Sequence, residues 1–161
     1  MKELTFDFNN FGGTLHLYAV PVASFRRIVK NYVAGTSTAQ FRNRQDIISI
    51  EMFADDTFSF SETKDVADGG VYYDVAIAGI IPKWSEANDE MIEELERGEW
   101  MVVTKDNNGV VRIAGSEDAL LRFNTVKDTG TTRPERNGIA FTFTGKQPSP
   151  APAVDATDIF S

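Results

Sequence analysis

Apolar and polar residues alternate with a period of two along much of this chain, and this pattern limits its possible folds more than any other feature. Successive side chains of a β-strand point to opposite faces of a sheet, so the alternation predicts half-buried strands. The longest example is GVYYDVAIAGIIPK, where Gly79 predicts a bulge or a close backbone approach. One face of that strand carries Val71, Tyr73, Val75 and Ile77, and the other carries Tyr72, Asp74, Ala76 and Ala78.

Three further stretches predict single strands by the same alternation. In GGTLHLYAVP, one face carries Leu15, Leu17 and Ala19, and the other carries His16, Tyr18 and Val20. DALLRFNTV places Leu121 and Phe123 on one face. NGIAFTFTG, the last strand, points inward with Ile139, Phe141 and Phe143. These strands are typical of a protein built from β-sheets.

Two stretches predict hairpins. In WMVVTKDNNGVVRIAG, two apolar runs flank Asp106 to Gly109, and Asn and Gly tolerate the positive φ of a tight turn. In DIISIEMFADDTFSFSET, alternation on both sides of Ala54 to Thr57 predicts a second hairpin that joins Ile48 and Ile50 to Phe58 and Phe60. The stretch ASFRRIVKNYV is different, because the spacing of Phe25, Ile28 and Val29 favours a short helix or turn.

One stretch, SEANDEMIEELERGEW, predicts a longer helix. Ser85 or Asn88 can cap its first turn, where acidic residues also suit the helix dipole. Met91, Ile92 and Leu95 form one apolar stripe, and Gly98 suits the end of the helix. The stripe predicts that this helix covers part of a sheet.

Together these patterns predict a mainly β protein, an antiparallel β-sandwich or barrel of about eight strands with one α-helix, at about residues 86–97, packed on the sheet. We expect one β-rich domain at residues 1–146. Residues 147–161, QPSPAPAVDATDIFS, are rich in Pro and Ala and have no amphipathic period. They predict an extended, flexible tail that proteases cut readily.

Composition excludes several kinds of site. There is no cysteine and one histidine, His16, so disulfides, thiolate sites and zinc sites with several imidazoles from one chain are excluded. We expect no cofactor and no bound metal. No apolar run is long enough for a membrane span, and the start lacks the features of a signal peptide, so we expect a cytoplasmic product without a membrane partner.

Charge bears on the choice of partner. The net charge of −8 disfavours nucleic acid, although five basic residues lie in one stretch: Arg26, Arg27, Lys30, Arg42 and Arg44. Asp55, Asp56 and the Asp106 to Gly109 stretch are better explained as polar turns than as cation sites. His16, in mid-strand, is better explained as a structural histidine than as a general base. We therefore predict no catalytic residue and no enzyme.

The second half of the chain carries a set of short motifs that resembles the C-terminal half of small structural proteins of Bacteroidetes phages and prophages. The resemblance covers about the last sixty residues and rests on six segments: Lys105 to Gly109, Ile113 to Ser116, Thr129 to Thr131, Arg136 to Gly138, Phe141 to Gly145 and Pro148 to Pro152. It implies a tail-associated virion component, similar to tail tube or neck-ring subunits. Such subunits are small β-proteins that assemble into rings and carry no catalytic residues.

An assembling subunit needs surfaces that meet a neighbour. The stretch KDTGTTRPERNG is longer than a simple hairpin needs. Its Arg133 and Arg136 are candidates to contact Glu93, Glu94 and Glu96 of the next subunit in a head-to-tail ring. The alternatives are a surface loop whose arginines meet only solvent, and a solvated helix face.

The partners expected from the resemblance are other copies of this chain and other virion proteins, so the protein would pass from the cytoplasm into the virion. The alternative function is a host binding module that recognises carbohydrate or peptide through exposed aromatic side chains. Trp84, Trp100 and the Tyr72 face are the candidates for that role. An enzyme that uses acidic residues around a metal is a second alternative.

Overall fold

A computed structural model describes residues 14–50, 59–81, 86–106, 109–128 and 138–155. These residues form ten strands and one α-helix. The strands are β1 (Thr14–Val20), β2 (Phe25–Asn31), β3 (Thr36–Phe41), β4 (Ile48–Ile50), β5 (Ser59–Ala67), β6 (Gly70–Ile81), β7 (Glu99–Asp106), β8 (Val111–Ala114), β9 (Leu121–Asp128) and β10 (Gly138–Gln147). The helix is α1 (Glu86–Arg97). The prediction of a mainly β protein with antiparallel strands and one helix on the sheet is confirmed.

Eight strands form one antiparallel sheet in the order β4-β1-β7-β9-β10-β6-β5, and β8 also pairs with β7. Strands β9, β10 and β6 pair along most of their length. Strands β7 and β9, in contrast, pair at only two positions, Glu99 with Arg122 and Trp100 with Leu121. This short junction lets the sheet bend, so that its two halves face each other across a common core.

The core between the two halves of the sheet, here called the sheet core, follows the predicted alternation. Ile139, Phe141 and Phe143 of β10 are buried there, and the three rings of Phe123, Phe141 and Phe143 contact one another at centroid distances of 4.9–5.9 Å. The other half of the sheet contributes residues such as Leu17, Ala19, Ile48 and Ile50. Aromatic pairs at such distances add stability beyond the area that they bury.

A hairpin of β2 and β3 forms a second, two-stranded sheet. It covers the outer face of β1, β7 and β8, which is the face that points away from the sheet core. Phe25, Ala39 and Phe41 of this hairpin pack with Tyr18 and Met101 in what we call the hairpin core. Because both faces of β1 and β7 are covered, these strands are apolar on both sides. This explains the continuous apolar run Trp100 to Val103, which is buried throughout.

The strand β2 occupies the stretch for which the sequence predicts a short helix or turn, and that prediction is wrong. The pairing of β2 with β3 shifts register between Phe25 and Arg27. A bulge adds one residue to a strand, so Phe25 and Ile28 both contact the hairpin core although they lie three positions apart. The helical spacing therefore arises from a bulged strand.

The prediction that the strands on either side of residues 54–57 pair with each other as a hairpin is also wrong. Strand β4 pairs with β1, and β5 pairs with β6, at opposite ends of the strand order. Residues 51–58, which include Asp55, Asp56 and the predicted turn, lie outside the described residues.

The bulge predicted at Gly79 is absent as well, since β6 and β10 pair in continuous register through this residue. The predicted hairpin of β7 and β8 is confirmed.

The helix α1 packs its predicted apolar stripe on the sheet core. Ile92 and Leu95 are buried, and Met91 is partly buried against the same cluster. Asn88 lies inside the helix, so it is not the N-cap, and Ser85 lies outside the described residues. The backbone N–H of Gly98 donates to the carbonyl of Leu95 at 3.4 Å, which ends the helix at the predicted residue.

The C-terminal segment, residues 148–155, differs from the flexible tail that the sequence predicts. Ala151 is buried in the sheet core, and Val154 is buried in the hairpin core. The segment pairs with β8 on one side and with β3 on the other, through a bridge from Arg112 to Ala153 and one from Thr38 to Asp155. It therefore joins the β2–β3 hairpin to the large sheet. The remaining residues, 156–161, lie outside the described residues.

Candidate assembly surface

The acidic residues proposed for assembly lie on the exposed side of α1. Glu93 and Glu96 are exposed, and Glu94 is partly buried. The helix carries six acidic side chains against one basic, Arg97, which gives it a net charge of −5. Arg133 and Arg136, the predicted counterparts, lie outside the described residues. The contact between these arginines and the helix therefore stays a prediction.

A shallow depression of about 310 Å³ lies where the end of α1 meets strands β7 and β9. It is lined by Glu96, Arg97, Gly98, Glu99, Arg122, Phe123 and Asn124. The Nε of Arg122 lies 3.2 Å from the Oε1 of Glu99, and both side chains are exposed. The hydroxyl of Thr125 donates to Glu96. We call this depression, with Glu93 beside it, the helix-end surface.

The size of the helix-end depression limits what it can hold. Pockets for small molecules usually measure about 300–1,000 Å³ and enclose most of the ligand. This one is at the low end of that range and open to solvent. Its exposed ion pair contributes at most about 1 kcal/mol to stability. The surface therefore suits one side chain of a protein partner better than a substrate.

A second charged surface lies on the β2–β3 hairpin, and sequence reasoning did not include it among the candidate site residues. Arg26, Arg27 and Lys30 are exposed on β2. The segment 21–46 carries five basic residues against one acidic, Asp46, a net charge of +4. Because the whole chain has a net charge of −8, the other 135 residues carry −12. The basic run was visible in the sequence, but its position on a projecting hairpin was not.

The tip of this hairpin is apolar and exposed. Tyr32 is 88% exposed and Val33 is 100% exposed. The side-chain oxygen of Asn31 accepts hydrogen bonds from the backbone N–H groups of Val33 and Ala34, both at 3.1 Å. Gly35 follows with a φ of +67°, which glycine adopts without strain. The tip is thus held in a defined turn.

The two charged surfaces lie on opposite sides of one sheet. Along β7, Trp100 and Val102 face the sheet core, on which α1 packs, whereas Met101 and Val103 face the hairpin core. The helix and the hairpin therefore flank this part of the sheet from opposite sides. The protein therefore has a negative surface on one side of this part of the sheet and a positive surface on the other.

The aromatic residues considered for ligand binding occupy different environments. Trp100 is buried, and its indole Nε1 donates to the carbonyl of Leu95 at 2.8 Å, so it is not available to a ligand. Tyr72 is partly exposed, with the Nζ of Lys146 at 4.6 Å from its ring centre and its hydroxyl 2.8 Å from Asp65. This hydrogen bond, together with desolvation and the charges of Asp65 and Asp74, raises the pKa of the Tyr72 phenol. Trp84 lies outside the described residues.

The described residues bring no metal-binding group together. Within these ranges, no three His, Asp or Glu side chains converge so that they could hold a metal ion. His16 is partly buried in β1, where it pairs with Lys105 of β7. No helix among the described residues has the length and apolar character to cross a membrane.

Comparisons with known proteins identify no relative of this chain. No protein-family model matches the chain, and no curated protein or solved structure is detectably similar to it.

Proposed function

We propose that this protein is a non-enzymatic structural subunit of a phage or prophage, associated with the tail, that assembles with copies of itself and with other virion proteins. What supports the proposal most is the placement of opposite charges on opposite sides of the β1–β7–β8 part of the sheet. A subunit of this kind attracts the next copy in the same orientation. Head-to-tail contacts of this type generate rings or filaments.

The resemblance of the motifs from Lys105 to Pro152 supports the virion part of the proposal. The β-rich body is compatible with it, because a sheet with two packed cores provides a rigid platform for loops that contact a neighbour. Such a subunit would be made in the cytoplasm and enter the virion. Exposed ion pairs add little affinity, so apolar area must stabilise the contacts.

The proposal that this protein is a virion component is tested by the protein composition of purified phage particles. Particles induced from a bacterium that carries the gene would be purified on a density gradient and analysed by mass spectrometry. We expect the protein in the particle band, at a fixed ratio to the other tail proteins. Its recovery only in the soluble lysate, while tail proteins band with the particles, would overturn the proposal.

A second candidate function, a host binding module, is favoured by one observation. Val66 is 70% exposed and pairs across the β5–β6 hairpin with Val71, which is also exposed, while the partly exposed Tyr72 lies on the other face of β6. The burial of Trp100 and the contact of Lys146 with the Tyr72 ring weaken this candidate. A glycan or peptide array that gives binding by the wild-type chain, lost in a Tyr72→Ala variant, would favour it.

A further inference from the structure

We propose that the tip of the β2–β3 hairpin, Tyr32 and Val33, docks on the helix-end surface of a second copy of this chain. This inference rests on the proposed function, because it names the contact through which the subunit assembles. The hairpin is the basic partner, and α1, with a net charge of −5, is the acidic one. The depression at the end of α1 carries Glu96 and Glu99 beside Arg97 and Arg122.

The tip has the properties of an interface anchor. Tyrosine is enriched among the residues that carry most of the binding energy at interfaces. Tyr32 and Val33 are adjacent, and together they place two exposed apolar side chains at the most distant point of the hairpin. Because Asn31 already holds the turn through two hydrogen bonds, docking would order little additional backbone.

Charge around the tip selects an acidic partner. Lys30 lies two residues before the tip on β2, and Arg26 lies further along the same strand. Arg27 is held by a hydrogen bond from its Nε to the Oε1 of Gln40 at 3.2 Å. The net charge of +4 on this segment contrasts with −5 on α1. Complementary potentials of this kind raise association rates and discriminate between partners.

The helix-end surface fits such a tip. Its depression of about 310 Å³ is lined by the charged residues Glu96, Arg97, Glu99 and Arg122. Gly98 lies in its wall without a side chain. A tyrosine has an apolar ring and a polar end, so its ring can pack on the guanidinium groups while its hydroxyl reaches a carboxylate.

The partner is a second copy because the two surfaces cannot meet within one chain. They lie on opposite sides of the sheet that contains β7. Nucleic acid fits less well, since the acidic helix and the net charge of −8 repel phosphate. The fully exposed Val33 also gives a phosphate backbone nothing to bind.

The experiment measures self-association of the full chain by sedimentation velocity over a concentration series. We expect Tyr32→Ser/Val33→Ser to weaken association by about 30-fold or more, the effect of losing one strong interface anchor. Arg26→Glu/Lys30→Glu and Glu93→Lys/Glu96→Lys should each weaken it similarly. Val66→Ser, which removes an exposed valine from the β5–β6 hairpin, is the matched control and should have no effect. All substituted residues are exposed, and thermal unfolding would check that each variant folds.

A mixture of the two charge-changing variants tests the contact more specifically than either variant alone. An equimolar mixture of Arg26→Glu/Lys30→Glu and Glu93→Lys/Glu96→Lys should form pairs, because the unchanged helix of the first variant, at −5, meets the unchanged hairpin segment of the second, at +4. The substituted surfaces, at 0 and −1, no longer attract each other. Both variants remain net negative, at −12 and −4 by their substitutions from −8, so overall attraction does not explain such a rescue.

Three results would overturn the proposed contact. If the wild-type chain associates and the hairpin variants associate equally well, the contact is wrong and the proposed function stands. If the wild-type chain stays monomeric at every concentration, the contact and the self-assembly part of the function both fail, whereas the particle analysis still tests the virion part. If the chain binds duplex DNA and Arg26→Glu/Lys30→Glu abolishes that binding without an effect on self-association, the hairpin is a nucleic-acid surface.

Discussion

The indole N–H of Trp100 donates a hydrogen bond to the main-chain carbonyl of Leu95 at 2.8 Å, where the end of α1 meets the start of β7. Both residues are buried. The last carbonyl groups of a helix have no partner within the helix, so the indole satisfies one of them. This bond holds the acidic helix against the sheet and so positions the helix-end surface.

Replacement of Trp100 by Phe should destabilise the protein by about 1–2 kcal/mol, because the buried Leu95 carbonyl loses its short hydrogen bond and keeps only the 3.4 Å bond from Gly98. Urea unfolding measures the change. The matched control is Ile77→Val, which removes one methyl group from the same core at a cost of about 1 kcal/mol. Amide hydrogen exchange in the last turn of α1 should accelerate in the Trp100 variant more than in the control. Equal exchange in the two variants would contradict the role given to this hydrogen bond.

Replacement of Gly145 by Ala should destabilise the protein by about 1–3 kcal/mol through overpacking. A Cβ atom at Gly145 would lie 2.5 Å from a methyl carbon of Leu121 and 3.2 Å from the carbonyl oxygen of Leu120. Leu121 is fully buried and has little room to move. Gly69→Ala is the control, because a Cβ there meets no atom within 4 Å. Thermal unfolding of both variants checks this, and equal stability would argue against close packing at Gly145.

Deletion of residues 148–161 should destabilise the protein by about 2 kcal/mol or more, since it removes the buried side chains of Ala151 and Val154 and exposes the apolar surface that they cover. The amides of Ala39 and Ile113, which donate to the carbonyls of Asp155 and Pro152, should then exchange faster with solvent. Hydrogen exchange with mass spectrometry measures this. A deletion of residues 156–161 alone is the control and keeps every one of these contacts. Unchanged protection of Ala39 and Ile113 in the longer deletion would show that the C-terminal segment does not stabilise the fold.

The phenol of Tyr72 should titrate above its ordinary pKa of 10.0, because it donates to the carboxylate of Asp65. The folded state holds this proton more tightly than the unfolded state. The stability from this bond is therefore fully present below about pH 10 and is lost as the pH rises through the raised pKa of the folded protein. Tyrosinate absorbance in a pH titration, compared with Tyr72→Phe, isolates the group. Asp65→Asn should lower its pKa, and an unchanged titration would contradict the assigned cause.

Much of the fold was predictable from alternation alone, because burial on one or two faces leaves a period of two in the sequence. The inward face of β10, Ile139, Phe141 and Phe143, and the apolar stripe of α1 were both identified in this way. Alternation reports which face is buried and not which strand pairs with which. For this reason it joined Ile50 to Phe60, whose strands lie at opposite ends of the sheet.

Two predictions differ from the structure for local physical reasons: the short helix or turn near Phe25, and the flexible C-terminal tail. The bulge after Phe25 gives a strand the spacing of a helix. The segment with Ala151 and Val154 has no amphipathic period, because each of these residues enters a different core. Its prolines lack a backbone N–H, but Pro152 still accepts through its carbonyl from Ile113 at 3.2 Å. A short segment held by such contacts leaves little signal in the sequence.

The candidate site was predictable only in part. The exposure of Glu93 and Glu96 could be predicted, since the apolar stripe of α1 faces the sheet and the residues on the opposite face of the helix are exposed. The hairpin tip at Tyr32 and Val33 was not predictable, because its exposure depends on the packing of β2 and β3 over the outer face of β7.

The most direct test of self-assembly is the mass of the purified full chain in sedimentation equilibrium as its concentration rises. We expect the mass to increase from 17.8 kDa, that of one chain, towards a fixed multiple, as a closed ring requires. A mass that stays at 17.8 kDa over the whole concentration range would contradict it.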